Sequence, residues 1–146
     1  MVIAFAVVMF GLLAICRPLQ RNPFYILHSA LVVLAAYYAD GRFFTISNPF
    51  SPKILLVLLV FHIISINIIA FIAMWVDKRA AQKRGNRISE KNMHQLELMG
   101  GVPGSWLGQR VFNHKTSKRR YQNTFMGILI IQIFIVIGVC KYLGFF

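Results

Sequence analysis

The stretch ILLVLLVFHIISINIIAFIAMW, residues Ile54 to Trp75, holds 22 residues without a single acid, lysine or arginine. A helix rises about 1.5 Å per residue, so about 20 apolar residues cross a hydrocarbon core of about 30 Å. Asp77, Lys78 and Arg79 follow after Val76, among good helix formers. The stretch therefore predicts a transmembrane helix that continues for about two turns into water.

Three further apolar runs, residues 2–16, 24–39 and 125–143, predict three more membrane helices. The first two are short, so they must lean on neighbouring helices or thin the bilayer. Nothing basic precedes the first run, and Cys16-Arg17-Pro18 does not resemble a signal-peptide cleavage site, so we expect a retained helix. The sequence predicts an all-α integral membrane protein: one domain over residues 1–146, with about four transmembrane helices.

Composition supports a membrane location and gives it an orientation. The chain is 58% hydrophobic and 14% charged, against about 45–50% and about 25% in soluble domains. Of 16 lysines and arginines, 11 lie between Trp75 and Phe125. Short basic loops stay in the cytoplasm, so residues 76–124 are predicted to form a basic cytoplasmic loop, with both chain termini outside.

Local signals divide this loop into helices. Gly85-Asn86 predicts the end of the third membrane helix. Ser89 is the expected N-cap of a short helix, and Glu90 lies in its first turn, where the helix dipole favours an acid. An apolar edge follows at helical spacing in Met93, Leu96 and Met99.

A glycine-rich run follows at residues 98–112. Gly100, Gly104 and Gly108 recur every four residues and would form a smooth ridge for close helix packing. Pro103 predicts the start of a new helix after Gly100-Gly101. With about 15 residues, the run is too short to span a bilayer, and it suits either a re-entrant helix or an interfacial helix on the membrane surface.

The last part of the loop concentrates phosphate-binding side chains. The predicted anion-binding residues are Lys78, Arg87, His114, Lys115, Thr116, Lys118 and Arg119. Lysine and arginine supply charge, and hydroxyls supply short neutral donors. Basic runs beside membrane helices also attract anionic lipid surfaces without a defined site, and the residues alone leave both interpretations open.

The order of four motifs resembles a bacterial family of small membrane proteins, the domain of unknown function 1294. The motifs are Asp77-Lys78, Arg87-Ile88-Ser89-Glu90, Gly100-Gly101-x-x-Gly104 and His114-Lys115-Thr116-x-Lys118. The resemblance covers Ile54 to the fourth helix and implies a location in the bacterial cytoplasmic (inner) membrane. Some members also carry a cold-shock, nucleic-acid-binding domain, which residues 1–146 do not contain. The family name supplies no reaction.

Catalytic groups are few. Asp77, Glu90, His94 and His114 are candidate acid and base groups, but neither a nucleophile elbow nor paired carboxylates accompany them. Asp77 and Glu90 are expected to pair with the loop cations, and Glu97 with a basic residue. Cys16 and Cys140 form no CxxC, so neither a metal site nor a cofactor is predicted.

Polar residues also occur inside the apolar runs: His28, His62, Asn67 and Gln132. We expect hydrogen bonds between helices from them, with a polar pocket or proton path as the alternative.

The favoured function is a non-enzymatic membrane protein whose basic loop binds an anionic, phosphate-bearing partner, either a lipid headgroup or nucleic acid. The alternative is a membrane-embedded enzyme acting on a phosphate-bearing lipid. The lipid bilayer is the expected partner in both cases, and the sequence leaves open whether the chain forms a homo-oligomer.

Overall fold

A computed structural model describes residues 22–39, 52–142 and 144, and these residues contain helices and no strand. The helices are α1 (Pro23–Ala39), α2 (Pro52–Gln82), α3 (Glu90–Leu96), α4 (Val102–Phe112) and α5 (Arg119–Tyr142). A wide turn, Glu97–Gly101, joins α3 to α4. The all-α prediction is confirmed for the described residues, and the helix predicted at 2–16 lies outside them.

Two described helices are long and apolar enough to cross a membrane, within Leu56–Gln82 and Arg119–Tyr142. On α5 the large apolar side chains from Ile130 onward face outward; Phe134 is 70% exposed and Ile131 is 55% exposed. Helix α1 is apolar but has only 17 residues, fewer than the about 20 that a span needs. The structure therefore supports two of the four predicted transmembrane helices, and not all four.

The chain divides into two compact units, Met1–Ile69 and Ala70–Phe146. In the first unit, α1 and α2 are joined by hydrogen bonds between polar side chains. His28 Nε2 lies 3.0 Å from His62 Nδ1, and His28 Nδ1 lies 2.6 Å from Ser65 Oγ. Interhelical hydrogen bonding, expected for His28 and His62, is confirmed. Asn67 donates to the Ile63 carbonyl of its own helix.

Helix α5 begins at Arg119, six residues before the predicted start at 125. The prediction followed hydropathy. The polar first turns are nevertheless helical, because Tyr121 is buried in the core of the second unit and anchors them there. Helix α2 ends at Gln82, and the left-handed residue of the following turn is Arg84 (φ 52°) and not Gly85.

The core of the second unit is formed by residues of α2, α3, α4 and α5. Its buried apolar residues are Met74, Met93, Val102, Tyr121, Phe125 and Ile128. The predicted N-cap is confirmed, since Ser89 Oγ accepts from the backbone N–H of Asn92 at 3.2 Å. These contacts fix α3, which with seven residues would be marginal in isolation.

The glycines of the predicted ridge do not lie on one helix. Gly100 has φ 102°, which interrupts the helical backbone before α4 begins. Gly104 and Gly108 are buried on α4, and the space beside Gly108 is filled by Met74 of α2. Pro103 lies in the first turn of α4, as predicted. The ridge is therefore shorter than predicted, but its second half is a close helix contact.

Gly108→Leu is expected to destabilise the protein by about 1–3 kcal/mol, because overpacking forces side chains and backbone apart. A Cβ at Gly108 would lie 2.7 Å from Met74 Cβ, closer than two such atoms approach. Thermal unfolding in detergent, followed by tryptophan fluorescence, measures the change. Gly85→Ala is the control, since its Cβ meets nothing nearer than 3.9 Å. Equal melting temperatures of the Gly108→Leu and Gly85→Ala variants would show that α4 is not packed on α2.

Candidate functional site

A buried carboxylate near the end of α2 organises the loop. Asp77 is 0% exposed, and its Oδ1 accepts the backbone N–H of Ile88 at 3.0 Å. Its Oδ2 lies 2.8 Å from His114 Nε2, 3.1 Å from Lys115 Nζ and 3.4 Å from Arg87 Nη2. A charge withdrawn from water needs this many partners, because an unpaired buried carboxylate is very costly.

The turn between α4 and α5 places two of these partners. Asn113 and Lys115 both adopt the left-handed conformation, with φ 46° and 58°. The backbone N–H groups of Asn113 and His114 both donate to the Gln109 carbonyl at the end of α4. Left-handed backbone is unfavourable for residues other than glycine. Here it directs His114 and Lys115 together towards Asp77.

Lys115 is a lysine withdrawn from solvent, with a side chain 3% exposed. Its Nζ lies 4.9 Å from the centre of the Tyr121 ring and 3.8 Å from Glu90 Oε1. The ammonium group therefore has two carboxylates and an aromatic face around it, which is the environment that a buried cation requires.

Glu90 brings a further cation, Lys118, into the group. Lys118 Nζ donates to Glu90 Oε1 at 2.7 Å. This hydrogen bond holds the pKa of Glu90 below its usual range, with nearby Lys115 acting in the same direction. We call this group the Asp77 cluster; it consists of Asp77, Arg87, Glu90, His114, Lys115 and Lys118.

A second buried acid was not predicted as part of the site. Glu97 is 0% exposed; it accepts a hydrogen bond from the Tyr121 hydroxyl, and its Oε2 lies 2.5 Å from His94 Nδ1. Its partners are thus a tyrosine and a histidine, and His94 is the basic residue with which Glu97 was expected to pair. Glu97 directly follows α3, four residues after Met93, and this helical spacing from an apolar residue was the signal available in the sequence.

Gln132, expected to form hydrogen bonds between helices, bonds to the backbone of the wide turn Glu97–Gly101. Its Nε2 donates to the Glu97 carbonyl at 2.6 Å and the Leu98 carbonyl at 3.3 Å. These carbonyls belong to the wide turn before α4, where regular helical bonding is interrupted. A polar group inside the apolar part of α5 therefore satisfies backbone that would otherwise lack a partner.

The structure brings together four of the predicted anion-binding residues: Arg87, His114, Lys115 and Lys118 each contact Asp77 or Glu90. Lys78 lies at the same end of α2 and donates to the Asn113 carbonyl at 3.4 Å. Thr116 and Arg119 follow in the chain and are exposed. The geometry thus divides the predicted set into residues bound to acids, of which His114 and Lys115 are buried and Arg87 and Lys118 half exposed, and exposed residues beside them.

Of the candidate catalytic residues, Asp77 and His114 pair with each other, His94 pairs with Glu97, and Glu90 pairs with Lys118. His94 also lines a cavity of about 730 Å³ with Lys91 and Arg120. No group of three or more histidines, cysteines and acids within the described ranges, 22–39 and 52–142, could hold a metal ion.

Comparison with known proteins connects this unit to a family. The family described as "Protein of unknown function (DUF1294)" matches residues 67–121, which include the whole Asp77 cluster. The uncharacterized protein YsdA of Bacillus subtilis (strain 168) is 32% identical over 75 residues, which cover 51% of this chain and 84% of YsdA. No solved structure matches the chain. The resemblance inferred from the four motifs is confirmed.

Proposed function

The chain belongs to the DUF1294 family of proteins of unknown function, and we propose that this member is a membrane protein whose second unit binds the phosphate of an anionic lipid headgroup. The observation that supports this proposal is the Asp77 cluster, in which two carboxylates fix the positions of three cations and a histidine. Such a cluster is built to hold positive charge in place at the end of a membrane-spanning helix.

The charge balance leaves this region positive. Residues 70–146 hold 12 lysines and arginines against 3 acids, a net charge of +9. Each of those acids is already paired, so the remaining cations have no carboxylate to neutralise them. Lys118, with a side chain 52% exposed, and the neighbouring Arg119 remain accessible to an external phosphate. Juxtamembrane cations of this kind are attracted to anionic lipids.

The proposal includes the topology inferred from the basic residues: a multi-pass inner-membrane protein with both termini outside and the Asp77 cluster in the cytoplasm. A cysteine placed at Ser117 should resist an impermeant thiol reagent applied to intact cells and react after the cells are opened. Reaction in intact cells would reverse the orientation.

Binding can be measured on the detergent-purified protein with dioctanoyl phosphatidic acid, and with dioctanoyl phosphatidylcholine as the uncharged-headgroup comparison. Lys118→Ala plus Arg119→Ala should weaken phosphatidic acid binding about tenfold, equivalent to about 1.4 kcal/mol. Binding should also weaken as salt rises, because exposed charges are screened. Lys115 is left intact because its loss would leave Asp77 with less compensation.

Lys83→Ala plus Arg84→Asn is the matched control, since it also removes two cations but lies outside the cluster; asparagine tolerates the left-handed backbone of Arg84. Equal losses from the two double variants would mean diffuse electrostatic attraction and would overturn the proposal. Tight binding of single-stranded RNA with no binding of phosphatidic acid would assign the cluster to nucleic acid instead.

One observation favours an enzyme as the second candidate. His94 lines the cavity that also contains Lys91 and Arg120, and buried Glu97 holds its Nδ1. A histidine oriented by a carboxylate is a common general base, and the cations would stabilise developing negative charge on phosphate. Release of inorganic phosphate from phosphatidic acid, lost in His94→Gln, would establish this function. Binding without turnover would exclude phosphatidic acid as its substrate.

A further inference from the structure

A cleft between α4 and α5 has an apolar part and a polar part. The apolar part encloses about 500 Å³ and is lined by Val102, Trp106, Phe125, Leu129, Ile133 and Ile137. The polar part encloses about 280 Å³ and includes Gln109, Arg110, Thr116 and Gln122. Trp106 and Phe125 line both parts, so the two adjoin. The apolar part has the size of a small-molecule site, and such sites are mostly apolar with a few placed polar groups.

The polar part contains a buried donor without a partner. Gln109 is 4% exposed, and its Nε2 forms no hydrogen bond. The orientation of its amide is determined by its neighbour: Gln122 Nε2 donates both to the Lys115 carbonyl at 2.9 Å and to Gln109 Oε1. Because the side-chain oxygen of Gln109 must accept the hydrogen bond from Gln122, the N–H groups of Gln109 point away from Gln122 and have no acceptor. Buried donors are rarely left unpaired, since they lose their hydrogen bonds to water.

Positive charge lies beside this donor. Arg110 is exposed, and its guanidinium lies 5.7 Å from the ring centre of Trp106. Thr116 adds an exposed hydroxyl on the same side. None of the residues lining either part, all within the described chain, is an acid. The polar part therefore suits an anionic acceptor, and a guanidinium is a preferred partner of phosphate.

We propose that this cleft binds one molecule of an anionic phospholipid. The headgroup phosphate accepts hydrogen bonds from Gln109 Nε2 and Arg110, and an acyl chain lies along α5 between Trp106 and Ile137. The ligand's charge matches the polar part, and its chain covers apolar surface that α4 and α5 leave open. The site contains no residue of the Asp77 cluster and does not depend on the function proposed for it.

Native mass spectrometry of the detergent-purified protein tests the site, with dioctanoyl phosphatidylglycerol as the probe. Ile133→Trp fills the apolar part and should lower affinity about tenfold. Ile131→Trp is the matched control: it makes the same change on the same helix at similar exposure, 55% against 48%, but outside the cleft. Its affinity should equal that of wild type.

Gln109→Met tests the polar part, because it keeps the volume of the side chain and removes the unpartnered N–H groups. It should weaken binding of the probe, while Lys118→Ala plus Arg119→Ala should leave this binding unchanged. Equal effects of the two tryptophan variants would mean lipid adhering along the whole of α5 and would overturn the proposal. A dimer that separates in Ile133→Trp, with no lipid bound to wild type, would instead assign the cleft to a second copy of the chain.

Discussion

Asp77→Ala is expected to lower the free energy of unfolding by about 3–5 kcal/mol, the range found when one partner of a buried ion pair is removed. The substitution leaves Lys115, with its side chain 3% exposed, without its nearest carboxylate. It also removes the acceptor of the Ile88 N–H and releases His114. Arg87 contributes little to the loss because its side chain is 53% exposed and remains solvated.

Thermal unfolding in detergent, followed through Trp75 and Trp106 fluorescence, measures this loss. Glu90→Ala is the matched control: it deletes one carboxylate from the same cluster, but its closer partner Lys118 is half exposed and Lys115 keeps the nearer carboxylate of Asp77, so the expected loss is about 0–1 kcal/mol. Adding Lys115→Met to Asp77→Ala should recover part of the stability, because the unpaired buried ammonium is removed. If Asp77→Ala and Glu90→Ala have the same melting temperature, the Asp77 cluster does not stabilise the loop.

Glu97→Ala is expected to cost about 3 kcal/mol, because it leaves more than one buried polar group without its partner. The Tyr121 hydroxyl loses its acceptor, and His94 loses the carboxylate at its Nδ1. Tyr121 lies in the core of the second unit, where water does not replace the lost bond. The change should therefore loosen the contact between α3 and α5.

Tyr121→Phe removes only the hydroxyl and should cost about 1–2 kcal/mol, since Glu97 keeps His94. A double-mutant cycle with Glu97→Ala should give a coupling energy of about 0.5–3 kcal/mol, as for other residues in contact. Lys91→Ala is the control on α3, with an exposed side chain and an expected change within about 0.5 kcal/mol. Additive losses in the cycle would contradict a direct Glu97–Tyr121 bond.

Local sequence signals predicted the features that depend on local chemistry. The uncharged run from Ile54 to Trp75 specified most of α2, since apolar length is what a bilayer selects. Ser89 and Pro103 marked helix starts because a cap hydroxyl and a fixed φ act within one turn. The order of the four motifs was sufficient to identify the family. The start of α5 was missed, since Arg119 and Arg120 carry no apolar signal.

Contacts between distant residues required the tertiary structure. Asp77 and His114 are 37 positions apart, and Glu97 and Tyr121 are 24 apart. No periodicity connects such pairs, because a turn with left-handed residues at Asn113 and Lys115 sets where the side chains point. The sequence indicated that the loop is basic and rich in phosphate-binding groups. Only the fold decided which cations are neutralised inside and which remain at the surface, because burial depends on packing between helices.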